Sequence, residues 1–347
     1  MIKQNLINKI LNEKENNYEI NIQTIDEKDK EILDKSRTTG MIQFGVKEME
    51  YPKFWRNQKF QLPFRYFKTE LYKNVNIETI NDSLPYYGEG NRIKISEEKT
   101  NNKINKILSA VNYGGSCWQH IIQDILPIIV FNHNILKNDP EINVLVYEYR
   151  QNQKIYDFIF NRLSLKNKLI SVPYLSKSII NVEEFYNLEC NIDIPTQWWP
   201  LFFYEEINAK LNENIDFKNK NVIYNKRNFS RKFLNENEVI NCLREYANNE
   251  NLQFILFESE KYSLPETQEI FRNAHTIIAP HGGANYNIIF SNSKTKFVEY
   301  VFTDTMYTLC NLAGGIGLNY YLVPNSGNNH THGINVNIDK LKNILSK

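Results

Sequence analysis

A chain of 347 residues that is 41% hydrophobic and 23% charged can bury a sizeable core, which fits one or two globular domains and excludes an intrinsically disordered protein. A formal net charge of +1 excludes the global basic field of a nucleic-acid binder and the acidic excess of a solvating tail. Four scattered cysteines, Cys117, Cys190, Cys242 and Cys310, form no CxxC and have no histidine at ligand spacing, which argues against a structural zinc site and a disulfide framework.

Taken in order, residues 1–40 read as a charged, Asn-rich N-terminal extension with helical character over Glu27–Lys35 (EKDKEILDK). The polar start lacks a signal-peptide core, and no run of about eighteen apolar residues exists to span a membrane, so the expectation is a soluble, cytoplasmic protein. The sequons at Asn81, Asn228 and Asn329 are then chance products of heavy Asn usage. Residues 41–212 are expected to form a first Rossmann-like domain. Its aromatic opening, Met41–Tyr87, suggests short strands and loops, and Glu89–Asn105 a polar loop.

Regular alternation starts at Ile107–Val111, a buried strand ending at Asn112-Tyr113-Gly114-Gly115-Ser116. Helical spacing follows over Trp118–Leu136, with Pro127 expected to kink or restart the helix. A strand (Ile142–Tyr147), a helix (Lys154–Leu163) and a strand (Lys168–Val172) continue the pattern of a parallel α/β sheet. Residues 174–200 show no clear period, and Phe202–Leu211 reads as a helix.

Residues 213–335 repeat the alternation and predict a second Rossmann-like domain. Strands are expected at Asn221–Tyr224, Leu252–Phe257, Thr276–Ala279, Lys296–Val301 and Tyr320–Val323. Helices are expected at Asn235–Tyr246, Pro265–Asn273 and Ala284–Phe290, with Asn235 as N-cap and Glu238 at capping-box spacing. Residues 336–347 close the chain with a helix.

The chemistry concentrates where strands empty into loops. Pro280-His281-Gly282-Gly283-Ala284 is a strand-to-helix corner whose glycines permit close backbone approach and whose helix start suits a phosphate or diphosphate. A glycine corner with a core-facing histidine fits the same residues. Asn285 could cap the helix or donate to a ligand oxygen, with Asn287 two residues on. Arg227, leaving the first strand of this half, is expected on the same sheet edge, where its fixed fork of donors suits phosphate oxygens, with Arg231 behind it. Glu299, one strand later, could accept from a ribose or sugar hydroxyl, or lie on the surface. In the first half, His120 and Asp124 stand at i and i+4 on one helix face, where a carboxylate can orient an imidazole as a general base.

Several signatures are absent. No GxGxxG follows the first strand of either half, which disfavours a Rossmann oxidoreductase, and there is no GxxxxGK[ST], GxSxG or HExxH. No Asp-x-Asp occurs, so the simplest carboxylate site for a metal–nucleotide-sugar complex is missing.

The ordered series Asn112-Tyr113, His120, Asp124, Leu126-Pro127, Arg227, Arg231, Asn235-Glu236, Glu238-Val239, Ser263-Leu264, Gln268, Phe271, Ala274, Ile277–Ala284, Asn287, Phe290 and Val298-Glu299 resembles glycosyltransferase family 61. Family members often carry Gly-Ala-Gly after the histidine, where this chain has Gly-Gly-Ala. The resemblance implies an α/β GT-B fold, two Rossmann-like domains facing a central cleft. It implies inverting, metal-independent transfer from a nucleotide sugar, UDP-linked as in UDP-GlcNAc or UDP-xylose, to a hydroxyl of a glycan or glycoprotein, with no cofactor. Carried over by position, Arg227, Arg231 and the His281–Asn287 segment (His281, Gly282, Gly283, Ala284, Asn285, Asn287) hold the donor diphosphate, with Glu299 beside them, and His120 and Asp124 face the acceptor. The missing leader and anchor favour a bacterial or viral cytoplasmic setting over secretory glycosylation. The competing reading is a non-catalytic GT-B-like protein that binds a glycan or nucleotide.

Overall fold

Strands buried on both faces need an unbroken apolar run, whereas strands with one wet face can hide their pattern among charges. This chain builds one sheet in each way. The computed structural model describes residues 2–10, 17–19, 22–23, 59–61, 66–79, 93–111, 118–148, 152–173, 176–190, 201–213, 216–302, 309–325 and 332–347. The expected helix Glu27–Lys35, the Gly114–Gly115 corner and the residue 40/41 boundary lie outside them.

In chain order the strands are β1 (Ile2–Ile10), β2 (Asn17–Glu19), β3 (Ile22–Gln23), β4 (Lys59–Gln61), β5 (Tyr66–Thr79), β6 (Ile93–Ser96), β7 (Lys103–Ser109), β8 (Asn143–Glu148), β9 (Leu169–Pro173), β10 (Ile179–Cys190), β11 (Asn221–Asn225), β12 (Gln253–Phe257), β13 (Ala274–Pro280), β14 (Lys296–Phe302) and β15 (Asn319–Asn325). Among the described residues, strands β2 and β4 pair only with each other. The rest form two sheets, and the chain divides into two compact units, Met1–Asn17 with Gln61–Leu211 and Tyr18–Phe60 with Asn212–Lys347; the architecture is mixed α/β. Among the described residues no helix is long and apolar enough to cross a membrane.

The first sheet runs β1-β5-β10-β7-β8-β9, with β6 also on β5. Strands β10, β7, β8 and β9 are parallel, and β5 joins β10, β1 and β6 antiparallel. Counting from β7, the parallel part has order 3-2-1-4, the order of half a dinucleotide-binding sheet. The antiparallel extension departs from the Rossmann-like expectation. These strands fall where the sequence suggested short strands and loops, a polar loop, or no clear period. Tyr66–Thr79 is one strand of 14 residues, residues 93–96 are a strand, and Ile179–Cys190 is a strand of 12.

The physical reason is visible in the register. Val75 faces Val182, Ile77 faces Ile180, and the Tyr72 and Phe185 rings lie 6.0 Å apart, so one face is apolar. Each such cross-strand pair contributes about 0.2–1 kcal/mol. Polar partners occupy the intervening positions, as in Asn181 Nδ2 donating to Asn76 Oδ1 at 2.8 Å and the Lys73–Glu184 pair at 3.8 Å. Residues 1–40 likewise give an edge strand to each sheet, β1 beside β5 and β3 beside β15. Backbone pairing at a sheet edge needs no apolar stripe, so nothing in their composition announces it.

The second sheet, β12-β11-β13-β14-β15-β3, is wholly parallel. Every residue of β11 and β14 is buried. Counted from β11, its first five strands have order 2-1-3-4-5, which puts a topological switch point between β11 and β13. The loop leaving β11 is pinned by Phe233, whose ring stacks on Tyr224 at 5.3 Å and meets Tyr300 edge-on at 5.1 Å. Backbone bonds from Arg231 N–H to His332 O (3.0 Å) and Leu234 N–H to Ile334 O (2.8 Å) fix it further.

Two helix expectations need correction. Asn235 is the N-cap residue of the helix Glu236–Asn249, but its side chain makes no capping hydrogen bond and no capping box forms. Its amide pairs instead with the Val336 backbone, donating to Val336 O and accepting from Val336 N–H, both at 2.9 Å. The capping box belongs to Ser263 and Glu266, at the start of Leu264–Arg272. Gly283–Phe290 is a 3₁₀ helix rather than an α-helix, because Asn285 N–H closes early onto Gly282 O at 2.9 Å.

Candidate active site

In open α/β sheets ligands gather beyond the carboxyl ends of strands at a switch point, and each unit places a carboxylate-backed histidine there. In the first unit β7 lies between β8 and β10, the switch point of its parallel strands, and the helical run after β7 opens with Trp118–His120. A π turn, Ile121–Ile125, then leads into the helix Leu126–Phe131. Pro127 supplies the cause. It lacks an N–H and its ring crowds the carbonyl four residues back, so the helix widens by one residue before restarting with Pro127 in its first turn. Leu126 N–H accordingly reaches back five residues to Ile121 O.

On this turn His120 Nδ1 lies 2.6 Å from Asp124 Oδ2. The Asp124 side chain is 1% exposed and that of His120 20%, so the carboxylate is sealed and the imidazole reaches solvent. His120 Nε2 makes no hydrogen bond among the described residues and is the ring nitrogen open to a substrate. Burial and the Asp124 charge push the neighbouring Tyr204 hydroxyl well above its ordinary pKa, so it stays protonated.

In the second unit β11 and β13 diverge at the switch point, and their carboxyl ends carry Asn225 and Pro280. Two residues past β11, Arg227 is half-buried, and its Nε donates to Ser230 O at 2.6 Å. Its Nη1 lies against Gly282, where an added Cβ would fall inside the guanidinium. This close approach is why position 282 is glycine. Desolvation alone holds the Arg227 pKa below its ordinary value, and no carboxylate pairs with this cation among the described residues.

Behind the corner runs a buried polar chain. His281 Nδ1 lies 2.8 Å from Glu299 Oε1, with side chains 13% and 1% exposed. Asn285 Nδ2 donates to Pro280 O at 3.0 Å and to Glu299 Oε1 at 3.2 Å, while its Oδ1 accepts from Asn225 Nδ2 at 2.7 Å. The Tyr320 hydroxyl donates to Glu299 Oε2.

Arg227, His281, Gly282, Asn285 and Glu299 thus come together, and Gly283 and Ala284 open the 3₁₀ helix beside them. Four of the candidate residues are held in ways the sequence did not announce. Glu299 is sealed and already accepts from His281, Asn285 and Tyr320, so it supports the site from beneath instead of meeting a ribose. Asn285 is likewise committed to the protein, and Asn287 is buried within the 3₁₀ helix. Arg231 takes a left-handed backbone (φ 67°) and pins its loop through its N–H. The sequence concealed Asn225 and Tyr320. Asparagine is too common in this chain for one to stand out, and a tyrosine stacked 5.2 Å from Phe297 in a buried strand reads as core.

A comparison with curated proteins finds no match. The family model described as Glycosyltransferase 61 matches residues 118–298, from the start of the His120 helix to the residue before Glu299. This span is more than half of the chain and holds both histidines, Asp124, Arg227 and the glycine corner, so the chain belongs to glycosyltransferase family 61.

Proposed function

We propose that the protein transfers a sugar from a nucleotide sugar, UDP-linked as in UDP-GlcNAc or UDP-xylose, to a hydroxyl of a glycan or glycoprotein, with inversion and without a metal ion. The observation that carries this reading is Arg227. A half-buried guanidinium with no carboxylate partner among the described residues is costly unless an anion joins it, and it stands at a switch point against a glycine that leaves room. The donor diphosphate is that anion.

In this reading the two-domain GT-B architecture implied by the family holds, with the donor on the second unit and the acceptor hydroxyl assigned to His120. Asp124 accepts the Nδ1 proton of His120, so Nε2 takes the proton of the acceptor hydroxyl. The acceptor oxygen bonds to the anomeric carbon from the face opposite the diphosphate. The bond from that carbon to the phosphate oxygen breaks, and its electron pair leaves with the diphosphate. Arg227 neutralises the developing charge. The metal-free route rests on the sequence, in which no Asp-x-Asp occurs.

The test is thermal stability with UDP, GDP, CMP and NAD, with and without EDTA, followed by transfer from a panel of UDP-sugars. A ligand of the native state raises the melting temperature, by about 2.7 kcal/mol of stabilisation at 100 Kd. A UDP-specific shift that survives EDTA, with turnover of one UDP-sugar, is expected. Binding without transfer or hydrolysis of any sugar nucleotide leaves a non-catalytic binder, and a shift with NAD alone sinks the proposal.

A further inference from the structure

We infer that Tyr320 and Glu299 are positioning residues that fix the tautomer of His281, so that its Nε2 accepts a hydrogen bond from a hydroxyl of the donor while Arg227 holds the phosphates. The inference rests on the donor-site reading above and divides that site into a phosphate contact and a hydroxyl contact. Residues 299 and 320 both lie beyond the segment matched by the family model.

Glu299 sits in the middle of β14, every residue of which is buried, and a carboxylate there must be satisfied by donors. An ionised carboxylate only accepts, so each neighbour must donate to it. Asn285 and Tyr320 do so, and the third partner, His281 Nδ1, must therefore carry a proton. In the neutral ring that leaves Nε2 as a lone pair with no partner among the described residues, on a side chain that still reaches solvent. A lone pair repels phosphate oxygens and welcomes an O–H.

Tyr320 acts through Glu299. By occupying Oε2 it turns Oε1 toward His281 and Asn285. Its own ring is locked against Phe297, centroids 5.2 Å apart and nearly parallel at 7°. Asn225, bonded to Asn285 at 2.7 Å, braces the chain from the strand that leads to Arg227. The hydroxyl so recognised belongs to either the ribose or the transferred sugar.

Two measurements test this. The first is a long-range ¹H–¹⁵N spectrum of histidine-labelled protein without ligand, above pH 8, with His281 assigned from the His281→Ala variant. A pyrrole-type Nδ1 and a pyridine-type Nε2 are expected, with exchange between tautomers in Tyr320→Phe. A proton on Nε2, or a spectrum unchanged in Tyr320→Phe, overturns the inference. The second is calorimetry with inorganic pyrophosphate, UDP, 2′-deoxy-UDP and UDP-GlcNAc. Tyr320→Phe should bind pyrophosphate as the wild type does but lose about 5–10-fold in affinity for the ligand whose hydroxyl His281 reads. A loss shared by UDP and UDP-GlcNAc but absent for 2′-deoxy-UDP identifies the ribose, and a loss for UDP-GlcNAc alone identifies the sugar. Equal affinities throughout overturn the inference. Glu299→Gln is the second variant should Tyr320→Phe unfold. If the wild type binds neither pyrophosphate nor UDP, the donor-site reading falls, whereas the ligand-free spectrum still decides the tautomer.

Discussion

The two units carry the same pair of side chains and build it in opposite ways. In each, a histidine Nδ1 meets a carboxylate that is 1% exposed, at 2.6 Å in the first unit and 2.8 Å in the second. His120 and Asp124 are four residues apart on one helical turn, whereas His281 and Glu299 are eighteen apart and meet because β13 and β14 are neighbours. The first pair is local and follows from spacing alone. The second depends on the sheet order, so two further parts of its setting, Asn225 and Tyr320, come from strands that are also remote in sequence. A histidine backed from within its own helix can move with that helix, while one backed across a sheet is fixed by the core.

Substitutions can separate these two constructions. The largest effect is expected at the local pair. His120→Ala should lower kcat by about 10²–10⁴, the usual worth of a positioned general base, with the donor KM little changed. Undiminished kcat in a purified-enzyme assay ends its candidacy as the base. Arg227→Ala should follow, with a loss of about 10²–10³ in kcat as the developing charge loses its counter-ion. Turnover like that of the wild type removes it from the site. Gly282→Ala is the subtler probe of the second unit. The clashing group is the far end of a flexible arginine, so the fold should survive while the guanidinium is displaced. Nucleotide affinity should fall by about tenfold, equivalent to about 1.4 kcal/mol, with the melting temperature nearly unchanged. A large drop in melting temperature instead would make Gly282 a folding residue.

The smallest effect concerns a third histidine, His275, on β13 itself. Its Nδ1 meets a hydroxyl, Thr276 Oγ1 at 2.8 Å, rather than a carboxylate. Burial first, and then the Lys296 charge, hold its pKa below the ordinary 6.5. The unfolded chain therefore binds the proton more readily, so stability rises with pH through this window and falls as the pH drops below about 6.5. His275→Gln should flatten the dependence of melting temperature on pH between 7 and 5. An unchanged slope would assign that dependence to other groups.

What the sequence made legible follows the same division between local and remote. The five strands from Asn221 to Asn325 were readable because each centres on a short apolar run, as befits β11 and β14, which are buried throughout, although the edge strand β12 is only partly covered. Arg227 beside Gly282 was readable because both leave adjacent parallel strands at their carboxyl ends. Strands β5 and β10 were not, since Glu183-Glu184 and Lys73 interrupt any apolar period with residues on the wet face. The sealed state of Glu299 was hidden as well. Its donors are set by strand order, and nothing in Phe297-Val298-Glu299-Tyr300 says which neighbour will supply them.

The π turn at Ile121–Ile125 carries one further consequence, for the spacing of insertions and deletions. A π turn is an α-helix with one residue too many, and an α-helical residue turns the chain by about 100°. Removing a single residue from Ile121–Gln123 would shorten the His120–Asp124 spacing by one and swing His120 about a quarter-turn from its present heading. The length of this segment is therefore a coordinate of the active site in its own right. A natural or engineered variant one residue shorter here would keep every side chain of the site and still point its histidine the wrong way.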